Sequence, residues 1–557
     1  MSDYVIIERK DAAEMNDANH PADNIFHGFE YAPVVLLDGS SELPRHILGN
    51  KGYGINAMRR EGLPVPPAFC ITTEVCARYF EDHDGTTAAI RDEVRDKLKW
   101  LEAETSRTFG TGPRPLLVSV RSGAALSMPG MLDTVLDLGI DDGVESALAK
   151  LHTPEFAADT RSRFRHMYRR IVLDDENSDV PEDPFAQLGG AIGAVFSSWN
   201  SARAIAYRKH HGLSELGGTA VVVQAMVFGN MDAKSGTGVL FSRNPMTGAA
   251  EPFGEWLPGG QGEDVVSGTF DVEPVAALHD EQPAVFDELM ASADKLERIA
   301  RDVQDIEYTV EQGKLWLLQT RVAKRSAQAS VRLALSFRDE GLIDDSETLR
   351  RVSPAEIETL LQPSLQPETR LSAPLLAKGL PACPGVVSGT AYSDVDDAID
   401  AAEEGADVIL VRVATSPDDI QGMMAARGIV TEIGGATSHA AVVSRELHRP
   451  AIVGCGTGLA QELAGRQITI DGTEGEVREG ILQLTAWSEA DSPDLAKLST
   501  IALAQSPLRA HIGGDHPVLE DNTDAGIQAA LDAGLTDVVS EHPLFTMLIA
   551  ARLQNNN

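Results

Sequence analysis

Residues 434–445 read Gly434-Gly435-Ala436-Thr437-Ser438-His439-Ala440-Ala441-Val442-Val443-Ser444-Arg445, and no other stretch constrains this chain as tightly. Two glycines and two hydroxyls mark a turn, and the apolar run behind them reads as a helix. His439 therefore stands at or near a helix N-terminus, where backbone N–H groups and the helix dipole favour an anion. Neutral imidazole is nucleophilic and is the main form at pH 7, so this histidine can accept and hold a phosphoryl group. Such a chain also needs a donor site and a means of moving between donor and acceptor. Thr437 reads as an N-cap hydroxyl for the same helix.

Four separated segments point to a nucleotide donor. Leu48-Gly49-Asn50-Lys51-Gly52 precedes a helix near Asn56; glycine lets the backbone approach phosphate and Lys51 adds a point charge. The spacing is not that of a Walker A loop. Val118-Ser119-Val120-Arg121 reads as a strand delivering Arg121 to a loop of small residues that continues through Ser127-Met128-Pro129-Gly130, and arginine grips phosphate bidentately. Ser235-Gly236-Thr237-Gly238, Gly254-Glu255-Trp256 and Gly260-Gln261-Gly262-Glu263-Asp264 combine flexible glycines with closely spaced acids. Finally, Asp305 and Glu307 lie two apart on a predicted strand and share a face, as do Gln319 and Arg321 on the next. Paired carboxylates with phosphate oxygens suit Mg2+.

In order and spacing, residues from about 46 to 330 resemble the ATP-grasp nucleotide-binding domain of the pyruvate phosphate dikinase family of phosphoenolpyruvate-utilising enzymes. Lys378–Gly385, Thr415–Ile420, Gly422–Ile429 and the His439 stretch resemble its swivelling phosphohistidine domain. The resemblance implies that Lys51 and Arg121 contact ATP phosphates and that Gly236 and Gly238 belong to a mobile loop covering them. It implies that Glu255 and Glu263 surround the nucleotide, and that Asp305 and Glu307 carry Mg2+. Gln319 and Arg321 complete the face on which Arg121, Arg321 and His439 are catalytic. The implied reaction moves the β-phosphoryl of ATP to His439 and releases AMP. Inorganic phosphate takes the γ-phosphoryl as pyrophosphate in the dikinase branch, which the sequence favours; water takes it in the synthase branch. A threonine equivalent to Thr437 is a regulatory phosphorylation site in plant and some bacterial members.

The fold expected is a multidomain α/β and α+β chain. Residues 1–30 read as a loose extension, 31–361 as the ATP-grasp domain with helices over about 145–210, and 362–384 as a Pro-rich hinge. Residues 385–486 read as the swivelling β/β/α domain, 487–506 as a linker and 507–557 as a short βαβ piece. That last piece resembles the first βα unit of the family's (β/α)8 barrel, which needs about 250 residues. Val539 stands where the family has a substrate-binding arginine. The expectation is a loading half-reaction, with pyruvate or another acceptor bound by a separate subunit. The alternatives are an autophosphorylating regulator or a non-catalytic ATP sensor.

The formal net charge of -37 argues against nucleic-acid binding through a basic face. No apolar run approaches the ~20 residues of a membrane span, and Met1–Glu8 lacks a signal-peptide pattern. A cytoplasmic location follows as the expectation. Cys70, Cys76, Cys383 and Cys455 form no CxxC pair and read as free core thiols.

Overall fold

The computed structural model describes residues 29–555, apart from 127, 129, 211, 214–216, 268–269, 271, 362–363, 366, 486–488 and 490–491. The extension expected over 1–30 lies almost wholly outside the described residues, as do Ser127 and Pro129. The chain forms two compact units. The larger comprises Ala32–Ala329 and Pro363–Ala486, and the smaller comprises Ser330–Gln362 and Trp487–Asn557, with Phe29–Tyr31.

The first part of the larger unit holds two antiparallel five-stranded sheets. One runs Val34–Leu36, Ala68–Ile71, Thr219–Ala225, Val118–Ala124, Thr134–Leu138. Its central strand, Thr-Ala-Val-Val-Val-Gln-Ala, is buried at every position, as β-branched runs covered on both faces tend to be. The other sheet runs Glu273–Pro274, Phe253–Pro258, Gly236–Phe241, Gln304–Glu311, Lys314–Val322. Helices Asp142–Leu151, Pro154–Tyr168 and Pro184–Ser198 start at side-chain caps from Asp141, Thr153 and Asp183.

Helix Arg45–Arg60 breaks at Gly49, which takes φ 67° and ψ 163°. A Cβ at Gly49 would overlap the carbonyl of Gly123, so only glycine lets the helix approach the strand Val118–Ala124 this closely. The break sets Lys51 against that strand: its own Cβ lies 3.4 Å from where a Cβ on Gly123 would stand.

Residues 375–479 build an eight-stranded sheet. Four parallel strands, Val386–Tyr392, Val408–Arg412, Gly428–Thr431 and Ala451–Val453, form its centre. Helices Val395–Glu403, Ile420–Ala425 and His439–Glu446 connect them. The two edges are Leu375–Lys378 and Leu380–Cys383, separated in sequence by Gly379 alone, so the sheet curls round towards itself. Most of the stretch expected as a hinge, 362–384, is thus folded: these two edge strands follow helix Pro367–Ser372, where Arg370 pairs with Asp471 at 2.5 Å. Before that helix, Ser364–Leu365 pairs with Leu484–Thr485, so the chain joins and leaves this domain through one small ladder.

The smaller unit corrects two boundaries. Residues 330–361, expected in the nucleotide domain, form helices whose Val331, Leu335, Leu349 and Ile357 share a core with Leu498, Ile527, Leu544 and Leu548. The segment 487–506, expected as a linker, contains helix Pro493–Gln505, which buries Leu495, Leu498, Ile501 and Ala502 at helical spacing. Its composition of small and polar residues hid that stripe. Strands Arg509–His511 and Asp537–Val539 pair in parallel, with helix Asp524–Asp532 between them in sequence, and helix Pro543–Asn555 follows.

Cys70, Cys76 and Cys383 are buried free thiols and Cys455 is half-buried. Among the described residues no helix is long and apolar enough to cross a membrane.

Candidate active site

A cavity of about 370 Å3 opens between the two five-stranded sheets. Lys51, Arg121, Gly238, Glu263, Glu307, Gln319 and Arg321 all line it. Arg121, Glu307, Gln319 and Arg321 lie on three strands whose alternation turns them inward, whereas Lys51 and Glu263 come from helices Arg45–Arg60 and Gly262–Ser267. Glu307 is the hub: its carboxylate pairs with Arg121 at 2.9 Å and accepts from Gln319 Nε2 at 3.3 Å. Arg121 also donates to Gln224 Oε1 at 3.3 Å. Burial works to raise the Glu307 carboxyl, but Arg121, Arg321 and Lys51 outweigh it and hold it below the usual carboxylate range. Burial, with Arg121 and Arg321 alongside, holds the Lys51 ammonium well below the usual lysine range, against the pull of Glu307. Three cations around one carboxylate leave the cavity poised for a polyanion.

Asp305 shares its face with Glu307 as expected for a strand, yet it does not line the cavity. It is 3% exposed and its Oδ2 accepts from Arg321 Nε at 2.7 Å. Burial raises its pKa against the opposing pull of Arg321. Asp305 Oδ1 and Gln319 Oε1 are both buried with no hydrogen-bond partner. Orphaned buried oxygens beside a carboxylate are the donor set a hard cation such as Mg2+ prefers, so these residues fit that ion.

The structure departs from three expectations here. Gly236 and Gly238 are not in a loop: both lie in strand Gly236–Phe241. Side chains there would overlap Trp256 and Tyr308 respectively, whose rings stack at 6.1 Å and 4°. Gly236 does not line the cavity. Glu255 also points elsewhere. Its Oε1 accepts from the backbone N–H of Ala436 at 2.7 Å, and its Oε2 accepts from the Thr437 hydroxyl. Thr437 is accordingly not the N-cap; Ser438 is, accepting from Ala441 N–H. Burial raises the Glu255 pKa although both hydrogen bonds oppose it.

Helix His439–Glu446 begins at His439 itself. Nδ1 of His439 is 3.1 Å from Thr415 Oγ1, whereas its Nε2 is buried without a partner. A Cβ on Gly130 would stand 3.1 Å from that Nε2, and Gly130 lines the cavity. Burial pushes the His439 pKa down to about 4, against the nearby Asp419.

Sequence reading missed what holds the histidine domain against the nucleotide domain. Met128, Met131, Trp199 and Tyr207 share one apolar cluster with Ala440, Ala441 and Val443. Glu446 accepts from Tyr207 and from Lys324, the latter at 2.9 Å, and Arg203 reaches Asp418 at 3.3 Å. Arg445 is 1% exposed and donates to the carbonyls of Ala382 and Ala436, each at 3.1 Å. Burial pushes its pKa down to about 10. The one available signal was a charged residue four after Ala441 on an apolar helix face.

Residues 86–285 match the family described as pyruvate phosphate dikinase, AMP/ATP-binding domain, and residues 405–475 match PEP-utilising enzyme, mobile domain. Pyruvate, phosphate dikinase of Rhizobium meliloti (strain 1021) is 42% identical over 511 residues, covering 80% of this chain and 57% of that protein. The same-named protein of Clostridium symbiosum is 37% identical over 558 residues, covering 90% and 63%. Pyruvate, phosphate dikinase 1, chloroplastic, of Zea mays is 37% identical over 531 residues, covering 83% and 56%. The chain thus spans somewhat over half the length of these relatives. With both domains matched in order, and relatives of one name aligned along most of it, the chain belongs to the pyruvate phosphate dikinase family.

Proposed function

We propose that this protein loads a phosphoryl group from ATP onto His439, as a pyruvate phosphate dikinase-like phosphotransferase. The observation that carries this reading is the unpartnered Nε2 of His439 beside Gly130, at the wall of the cavity that holds Lys51, Arg121, Glu307 and Arg321. The facing antiparallel sheets around that cavity are read as an ATP-grasp fold.

With its proton on Nδ1 and turned to Thr415, His439 presents the Nε2 lone pair to the β-phosphorus. The Nε2–P bond forms as the bond from phosphorus to the α-phosphate oxygen breaks, and AMP leaves. The γ-phosphoryl passes to inorganic phosphate as pyrophosphate. Lys51, Arg121 and Arg321 bind and orient the phosphates. Glu263 lies beside the same cavity. Asp305, Glu307 and Gln319 would hold Mg2+, which when bound neutralises charge developing on the transferred group. Pyruvate or another acceptor, bound by a separate subunit, then takes the phosphoryl group from His439.

The test uses pure protein, Mg2+ and β-32P-labelled ATP, with and without inorganic phosphate. Acid-labile, base-stable label that vanishes in His439→Asn, with AMP as product, is expected; dependence on phosphate selects the dikinase branch. Demonstrable ATP binding with no label would overturn the reading. Transfer of label from the loaded protein to pyruvate, unaided, would remove the need for a separate acceptor subunit.

A further inference from the structure

The strand pair of the smaller unit carries a cluster that the proposed phosphotransfer does not use. His511 ends strand Arg509–His511 and Asp537 begins its parallel neighbour, with His511 Nε2 and Asp537 Oδ1 3.0 Å apart. His516 comes back from the loop beyond and stacks on His511, ring centroids 4.8 Å apart and 21° from parallel. One donor atom from each of the three residues lies within 4.8 Å of the others.

Two local features serve that arrangement. Gly514 takes φ 125°, a backbone conformation that side chains resist, and the ring of His516 lies 3.3 Å from where its Cβ would be. The loop therefore turns back at the one residue type that permits it. The second oxygen of Asp537 is already engaged: Oδ2 accepts from Arg509 at 2.6 Å and from Thr536 at 3.0 Å. Those donors fix the carboxylate and leave Oδ1 facing the imidazoles, as outer partners do for metal-ligating carboxylates.

We propose that His511, His516 and Asp537 form a binding site for a divalent transition-metal ion of the zinc type, which pins the 512–518 loop to the strand pair. Two imidazoles and one carboxylate suit Zn2+ or Co2+ and not Mg2+, which prefers oxygen alone. A tetrahedral site with bonds of about 2.0–2.1 Å sets its ligands roughly 3.3 Å apart. The His511–Asp537 separation already meets that spacing, and a small rotation of the exposed His516 ring closes the set. Binding replaces the contact between His511 Nε2 and Asp537 Oδ1, and the remaining position is left to water.

The full chain, stripped with a chelator, would be titrated with Co2+ and then Zn2+, following visible absorption and heat. A single Co2+ site with imidazole-type bands, displaced by Zn2+, is expected. His516→Ala, on an exposed loop and without effect on folding by circular dichroism, weakens it at least about tenfold. Glu307→Gln, in the nucleotide cavity, leaves the bands unchanged. Equal titration of His516→Ala and the unaltered chain would overturn the proposal, as would bands lost in Glu307→Gln alone. Neither outcome bears on phosphorylation of His439, so the two readings fail separately.

Discussion

The carboxylate of Glu255 accepts a 2.7 Å hydrogen bond from the backbone N–H of Ala436, three residues before His439. A residue of the nucleotide domain thereby holds the loop that carries His439, the proposed phosphoryl acceptor. Hydrogen bonds to a charged group contribute about 1.5–3 kcal/mol. Glu255→Ala should therefore cut the rate of His439 labelling by roughly tenfold to a hundredfold. ATP affinity should hardly change, because Glu255 does not line the cavity. A variant that loses ATP binding and labelling in parallel would show that Glu255 acts on the nucleotide instead.

The depressed pKa of His439 makes a second prediction. The folded value is about 4, whereas an unfolded histidine titrates near 6.5. Between these values the unfolded chain binds a proton that the folded chain does not, so stability falls as pH drops through that window. Above it the histidine contributes no slope. Denaturant midpoints measured from pH 7 to 4 should decline more for the unaltered protein than for His439→Asn. Parallel curves would mean that His439 is not buried in solution.

Lys51 is depressed in the same sense. Its ammonium is held well below the usual lysine range by burial and by Arg121 and Arg321. A bound polyphosphate reverses that balance and raises its pKa, so ATP binding takes up protons at any pH between the free and bound values. Calorimetry in buffers of different ionisation enthalpy should detect this uptake, and Lys51→Met should abolish it while weakening ATP binding.

Arg321 should matter twice. Removing one partner of a buried ion pair costs about 3–5 kcal/mol, whereas replacing both is often close to neutral. Arg321→Ala leaves Asp305, 3% exposed, without its cation. That variant should be strongly destabilised. Adding Asp305→Ala should restore most of the stability while AMP formation stays lost. Recovery of activity along with stability would reduce Arg321 to a structural role.

Much of this site was legible because its logic is local. Two-residue alternation sufficed to align Gln319 with Arg321, and Asp305 with Glu307. Glycine beside Lys51 announced a close backbone approach, which the overlap of Gly49 with Gly123 makes specific. Glu255 was misread because its direction is set by Ala436 and Thr437, 181 and 182 residues away, on another domain. No local pattern encodes such a docked surface. The same reason hid residues 330–361: amphipathic helices declare that they have an apolar face, but not which partner covers it. Gly236 and Gly238 looked like loop glycines because glycine marks flexibility and tight packing alike, and only the stacked Trp256 and Tyr308 decide between them.

The small ladder between Ser364–Leu365 and Leu484–Thr485 has a mechanical meaning. Both ends of the histidine domain emerge through the same stalk, and the sheet beyond curls towards its own edges. If such a body turns, it turns like a gate on a single post. Any excursion of His439 from Gly130 then follows an arc about that post, with a radius fixed by the domain. Lengthening the stalk on one side alone would skew the arc and cost return accuracy, whereas lengthening both sides together would enlarge it and leave its plane intact.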